Sequence, residues 1–424
     1  MTRRVFLSYS IAPSLAAQTR RTKKATEPKP APIQGTPWPQ WGGPGRDFLA
    51  DSKGLAESWP ATGPRQLWKR PLGEGYSCLL FQDNVIYTMY GRPGQEVVLA
   101  ADASTGKTLW EYATAITFRS DAPDMGNGPH ASGLVAGSRL FTVGVTGRLQ
   151  CLDRMTGKVL WTQMLWSDHQ GSRLVYGYAS SPLPYRDLLV VPVGGDGRAM
   201  AAFRQADGSL AWIKNQAGNA YSSPVLINVD GLDQVVQLMQ KSVFAVNPLN
   251  GDLQWHSSHE AGYGLNVATP VWTPGNLLFV SSAYGGGSRM LELRRDGNAV
   301  KVRELWHSPK LRIHHGNAVR LGEMLIFSNG DFGPAPLTGI DAKTGSIHWQ
   351  DRQFPKSTLV AADGKILILD QDGNLALAKA SLQGLQVVSK TSLLTNLSWT
   401  PPTLVGTTLF LRDRNTMMAV DLGA

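Results

Sequence analysis

A chain of 424 residues with 42% hydrophobic and 17% charged residues has the composition of a soluble protein with a substantial core. Its net charge of +9 and pI near 9.5 would suggest a nucleic-acid partner, but Arg3, Arg4, Arg20, Arg21, Lys23, Lys24 and Lys29 against Glu27 put +6 of it within residues 1–31. The remaining body is nearly neutral and carries no basic run, which excludes nucleic-acid binding, and two cysteines are too few for a disulfide scaffold.

The first residues, MTRRVFLSYSIAPSLAAQ, combine two arginines, a short apolar stretch and small residues at Ala16 and Ala17. That pattern predicts a signal peptide over residues 1–17 and a periplasmic or secreted protein. The stretch is too short to span a bilayer, and no transmembrane segment is expected elsewhere. Residues 18–37, rich in Lys, Pro and Thr, are expected to be a disordered linker.

From residue 38 onward the chain is organised by a phrase close to A-x-D-x-x-T-G-K-x-L-W. Its clearest copies end at Trp110, Trp161 and Trp349, and looser ones end at Trp212, Trp255 and Trp306. In the first copy an apolar run (VLAAD) and a second one (TLWEY) flank a tight turn. There Asp102 can accept backbone hydrogen bonds and Gly106 can take a positive φ. Two more short apolar segments precede each hairpin, so the repeat holds four strands and no helix. Four-stranded repeats of this length make a β-propeller.

Third-strand signatures occur eight times, at residues 99–102, 151–153, 202–204, 245–247, 291–293, 339–341, 376–378 and 419–421. The seventh copy has lost its tryptophan. Trp68 has no third strand before it, and the final copy, Met417 to Leu422, has no outer strand after it. The two chain ends therefore complete one blade, and the prediction is an eight-bladed all-β propeller over residues 38–424, with blades starting at about 64. Trp68, Trp110, Trp161, Trp212, Trp255, Trp306 and Trp349 are predicted to seal each blade against its neighbour, burying the indole face and satisfying its N–H. A closed ring leaves no sheet edge to pair with another chain, so a monomer is expected.

The repeat with its terminal tryptophan resembles that of the quinoprotein propellers. This superfamily includes the alcohol dehydrogenases that bind pyrroloquinoline quinone (PQQ) and the outer-membrane barrel-assembly lipoprotein. The segments WPQWGGPGRDF, ESWPATGPRQLWKRPLGEGYS, YGLNVATPVW and SWTPPTL are similar to those of exported PQQ-like repeat proteins. The resemblance implies the fold and leaves three functions open: a non-catalytic binding or scaffolding platform, a PQQ- or metal-dependent oxidoreductase, and an outer-membrane protein assembly factor. The dehydrogenases carry adjacent cysteines beside the quinone and a calcium ligand set. Cys78 and Cys151 are not adjacent and no such set is recognisable, so no cofactor or metal is predicted, with PQQ and calcium as the alternative. Relatives commonly have Gly-Pro-Arg where Gly128, Pro129 and His130 stand, which departs from any shared anion site.

The residues leading into the innermost strands should ring the channel mouth. They bring Glu74, Tyr76, His130, Tyr178, Tyr221, Asn266, Arg312, His314, His315, Lys356 and Trp399 toward one basin. That set suits a protein partner or a carbohydrate or other small-molecule ligand, stacked on the aromatics and hydrogen-bonded at its edge. If there is catalysis, His314, His315, His130 and Glu74 are the candidate acids, bases or ligands. His256, His259 and Glu260 resemble a metal pair but follow an outer strand and are not on one helix face. Asp370, Asp372 and Asn374 read as a hairpin turn, because Gly373 comes too early for a calcium loop.

Overall fold

The computed structural model describes residues 1–2, 30–122, 126–333 and 335–423. The chain divides into two compact units, residues 1–31 and 32–424. The expected signal peptide and most of the expected linker lie outside the described residues. No described helix is long and apolar enough to cross a membrane.

Among the described residues of the second unit, the strands form eight four-stranded antiparallel sheets, each in meander order. Blade 1 comprises Leu80–Gln82, Val85–Arg92, Gln95–Asp102 and Thr108–Ala115. Blades 2 to 7 span residues 134–164, 183–214, 225–258, 271–308, 319–351 and 357–392. Blade 8 takes its inner three strands from residues 403–421 and its outer strand, Arg65–Pro71, from the other end of the chain. This pairing closes the ring. The protein is an eight-bladed β-propeller.

The repeat owes its regularity to one local device. In blade 1 the Asp102 carboxylate accepts hydrogen bonds from Thr105 N (3.0 Å) and Thr105 Oγ1 (2.9 Å). Gly106 follows at φ 69°. Asp153 with Thr156 and Asp341 with Thr344 repeat the arrangement. The turn glycine has a second duty, because the tryptophan of the preceding blade lies on it. A Cβ on Gly106 would stand 2.7 Å from Trp68, and one on Gly157 would stand 2.5 Å from Trp110.

The residue before each tryptophan is the other half of the device. Ala100 pairs with Trp110 and Ala101 with Thr108, which leaves Leu109 as an unpaired bulge. Equivalent shifts occur in all eight outer strand pairs. A bulge bends and twists its strand. Here it precedes an indole that donates to a backbone carbonyl of the next blade: Trp68 to Ala103 O (2.7 Å), Trp110 to Arg154 O (3.1 Å), Trp161 to Gln205 O (3.1 Å), Trp212 to Pro248 O (3.1 Å), Trp306 to Ala342 O (2.9 Å) and Trp349 to Ser381 O (2.8 Å).

Trp255 departs from its expected role. Its indole donates to Gln234 Oε1 of its own blade, at 2.7 Å. Blade 5 joins its outer strands, Gly287–Asp296 and Ala299–Ser308, through Gly297 and Asn298. That hairpin supplies no carbonyl to Trp255, unlike the equally short one of blade 7, whose Ser381 O accepts from Trp349. Blade 7 keeps its bulge although its tryptophan is lost. Ser389 stands at that position, and its Oγ accepts from Trp59 N at 3.0 Å.

A segment before the blades crosses the channel. Trp38 exchanges two 2.9 Å backbone hydrogen bonds with Phe81 of blade 1, and Pro39 O accepts from Val135 N of blade 2. Arg46 donates to Ser181 O and Pro182 O at the entry to blade 3, and Trp41 Nε1 donates to Thr269 Oγ1 at the entry to blade 5. Phe48 O and Ala50 N pair with Ala361 of blade 7. The Trp41 and Phe48 rings meet edge to face at 5.3 Å. Residues 32–37, expected as linker, also lie in this unit, with Ile33 N donating to Asn84 Oδ1 at 2.9 Å.

Candidate functional site

Two kinds of connection meet at the end of the ring where the inner strands begin. One kind leads from the outer strand of each blade into the next inner strand, and the other joins second to third strands. The first kind supplies Tyr76, His130, His314, His315, Lys356 and Trp399. The second supplies Tyr284, Asp331, Phe332 and Arg414, which sequence reasoning missed because it followed only the inner-strand entries.

Rings from five blades make a continuous series. Tyr76 stacks on His130 (5.7 Å between centroids, 11° between planes) and on Trp399 (5.4 Å, 25°). Trp399 stacks on His315 (4.5 Å, 20°), and His315 lies against His314 at 3.5 Å. Tyr284 meets His314 edge-on at 5.0 Å, and Phe332 meets Tyr284 at 5.4 Å. Offset and edge-to-face pairs of this kind add to the area they bury.

The histidines are held neutral. Burial lowers His130 and His314 to about 4, and Lys356 acts in the same direction on His314. His315 is pushed well below its usual value by burial first and then by His314, Lys356 and His130. The Lys356 ammonium has only donors and lies 2.9 Å from His314 Nδ1. The neutral imidazole therefore carries its proton on Nε2, facing the Tyr284 hydroxyl. His130 hydrogen-bonds the backbone of Tyr176. The Nε2 atoms of His130 and His315 are buried without a protein partner.

The charged candidates are committed to one another. Glu74 forms an ion pair with Arg414 and lies 3.5 Å from Asn127 Nδ2. Arg312 pairs with Asp331 at 2.9 Å.

Tyr178 and Asn266 do not reach the basin. Tyr178 is fully buried under Trp166, and its hydroxyl donates to Pro192 O. Asn266, also fully buried, donates to Met239 O and His259 O, stapling the entry of blade 5 to blade 4. Tyr221 is nearly buried and receives a hydrogen bond from Tyr176 N. His259 is enclosed and bonds Ser282 Oγ at 2.9 Å, away from any ligand. Asp370 closes a turn by accepting from Asp372 N and Asn374 N.

A planar quinone laid between two rings needs their faces about 7 Å apart, two van der Waals contacts. Neighbouring rings of the mouth are already packed against one another at 3.5 to 5.7 Å between centroids. Cys78 and Cys151 are buried and unpaired. No three His, Cys, Asp or Glu side chains among the described residues stand where they could share a metal ion. The residues as packed do not fit a quinone with calcium.

Fold and repeat together define a propeller of the PQQ-like repeat class. Residues 94–351 match the family described as outer membrane protein assembly factor BamB, and the chain belongs to that family. A stretch of 140 residues is 29% identical to the quinohemoprotein alcohol dehydrogenase ADH IIB of Pseudomonas putida, covering 31% of this chain and 19% of that protein. Among solved structures, BamB from Moraxella catarrhalis superposes with a TM-score of 0.58 at 15% identity, over 84% of this chain and 97% of that one. The quinohemoprotein alcohol dehydrogenase from Comamonas testosteroni gives 0.65 at 12% identity, over 92% and 81%. A europium-containing methanol dehydrogenase gives 0.66 at 14%, over 91% and 89%. At these identities the superpositions speak to the fold alone.

Proposed function

We propose that this chain is an exported, non-catalytic binding platform whose ligand seats on the ring series at the channel mouth. The observation that carries this reading is the state of the titratable groups there. Glu74 and Asp331 are each held in an ion pair, and the three histidines are neutral and largely enclosed. General acid-base work needs a group free to exchange a proton near the operating pH. What the mouth offers outward is aromatic surface with polar edges, which suits recognition.

Reconstitution of the full chain with PQQ and calcium tests the reading. The quinone absorbance is expected to separate from the protein on gel filtration. Co-elution together with dye reduction by alcohols or aldose sugars overturns the platform and favours an oxidoreductase.

Family membership supports a second reading, in which the platform serves outer-membrane protein assembly. Pull-down from envelope extract should then retain a barrel-assembly core, and failure to retain it removes this reading. Residues 1–17 act as a cleavable signal in either case, so the exported protein should begin near Gln18 by N-terminal sequencing. The closed ring supports a monomer, to be checked by light scattering.

A further inference from the structure

A second feature lies on the same end of the ring, between blades 3 and 4. A cleft of about 440 Å³ opens there, lined by Asp196, Gln216, Gln240, Lys241, Ser242 and glycine backbone. Its floor is pinned by backbone hydrogen bonds from Gly195 N to Ala217 O (2.8 Å) and from Gln240 N to Gly218 O (3.1 Å). The Gln240 side chain lies between two glycines. A Cβ on Gly218 would come within 2.2 Å of its Oε1, and one on Gly264 within 2.6 Å of its Cγ. Among the described residues no hydrogen bond or ion pair engages the side chains of Asp196, Gln216, Gln240 or Lys241.

Tyr263 stands next to this cleft, one residue before Gly264. Its backbone is at φ 62°, ψ 6°, and its ring is 85% exposed. A bulky residue in the left-handed region is an outlier that glycine would relieve. Strain of that kind, spent on holding an aromatic ring out in water, points to a ligand. The ring is also the near end of a chain of rings: Tyr263 meets Tyr284 edge-on at 5.9 Å, and Tyr284 meets Phe332, itself 75% exposed. Polar cleft, exposed tyrosine and mouth are therefore continuous across blades 3 to 6.

The chemistry of the track selects its occupant. Planar amide and carboxylate groups match the paired donors and acceptors of vicinal hydroxyls, and an exposed ring offers an apolar face to the C–H side of a pyranose. One carboxylate, Asp196, and one ammonium, Lys241, leave the cleft without net charge, so an anionic ligand gains nothing there.

We infer that the cleft and the arc Tyr263, Tyr284 and Phe332 are successive subsites for one uncharged oligosaccharide that runs into the mouth. The inference rests on the binding role proposed for the mouth. Binding along several subsites makes affinity depend on ligand length, because each further sugar engages groups already in place.

Isothermal titration calorimetry of the full chain with cello-, malto-, xylo- and chito-oligosaccharides of increasing length tests it. One series should bind, with the hexasaccharide at least about tenfold tighter than the disaccharide. Tyr263→Gly relieves the backbone, so it should unfold no earlier than the parent and yet weaken the hexasaccharide about tenfold. Gln240→Ala should weaken it in the same sense. No binding by any series at about 5 mM overturns the inference, as does affinity independent of length. A hexasaccharide weakened by Trp399→Ala and untouched by Tyr263→Gly overturns the extended track while leaving the mouth reading in place.

Discussion

The turn glycine and the preceding blade's tryptophan act as one unit, and a double-mutant cycle on Gly157 and Trp110 measures this. Gly157 sits at φ 72° and would place a Cβ 2.5 Å from Trp110 Cε3. Gly157→Ala therefore carries two costs. The left-handed backbone costs about 1–2 kcal/mol for an L-residue, and forcing the indole off its seat costs about 1–3 kcal/mol. Trp110→Ala removes the overlap and also the 3.1 Å hydrogen bond to Arg154 O. By itself it should cost about 3 kcal/mol, the low end for a large aromatic because the ring is only partly buried. In the Trp110→Ala background, Gly157→Ala should cost the backbone share alone, about 1–2 kcal/mol. The cycle should thus show a coupling of about 1–3 kcal/mol. Urea unfolding followed by circular dichroism gives the four stabilities. Costs that add to within about 0.5 kcal/mol would mean that the glycine serves only its own turn and takes no part in docking the blades.

Other perturbations bear on other parts of the molecule. Glu96 accepts a hydrogen bond from Val145 N, and its carboxyl is pushed up to about 7, chiefly by burial. The folded state then holds a proton that the unfolded chain releases, so this contribution is full below about pH 4.5 and is lost as pH rises through 7. Glu96→Gln should flatten the stability profile over that window, where the parent loses about 3 kcal/mol; an unchanged profile in urea titrations refutes it. The imidazoles of His130 and His314 should keep their neutral-form proton shifts from pH 8 down to 5, and a titration near 6.5 by NMR would contradict their enclosure. Arg46 donates to Gln40, Ser181 and Pro182, pairs with no carboxylate among the described residues, and is lowered by burial to about 9. Arg46→Met should destabilise by about 2–3 kcal/mol through orphaned acceptors in the channel, and a neutral result by thermal unfolding would show that the segment crossing the axis is held by its backbone alone.

Much of the architecture was legible because each blade writes its geometry locally. Asp102 with Gly106, or Asp341 with Gly345, fixes a turn within five residues, and the bulge before the tryptophan follows in the next few. The closure of the ring could be read from what Trp68 and Met417 to Leu422 each lack. The segment through the channel could not be read. Trp38, Arg46 and Phe48 pair with Phe81, Ser181 and Ala361, partners tens to hundreds of residues away, and no periodicity marks them. The same holds for single side chains at the mouth. Tyr176 and Tyr178 sit two residues apart around Gly177, yet one is half-buried at the rim and the other is packed under Trp166. Only the surrounding blades decide which is which.

This division has a physical origin in how a blade is wired. The Asp-x-x-Thr-Gly turns, the bulges and the indole seats lie on the third and fourth strands and on the turns between them, away from the mouth. Each is constrained by the neighbouring blade, since moving a turn carbonyl undoes a hydrogen bond next door. The connections at the mouth also bond to the neighbouring blade, as Tyr76 N does to Pro129 O and Gly262 N does to Tyr284 O, but these bonds use backbone groups that many side chains can accompany. Tyr284, Asp331 and Phe332 stand on the connections from second to third strands of blades 5 and 6, where none of their side chains takes part in the blade seal. One repeat can therefore serve proteins named for outer-membrane assembly and for alcohol oxidation, and the chemistry peculiar to this chain must be sought at that end. Tyr263 is the sharpest instance: its ring contributes nothing to the blade seal, and a glycine at φ 62° would serve the backbone better. A tyrosine at that position is the observation that the inferred oligosaccharide track accounts for.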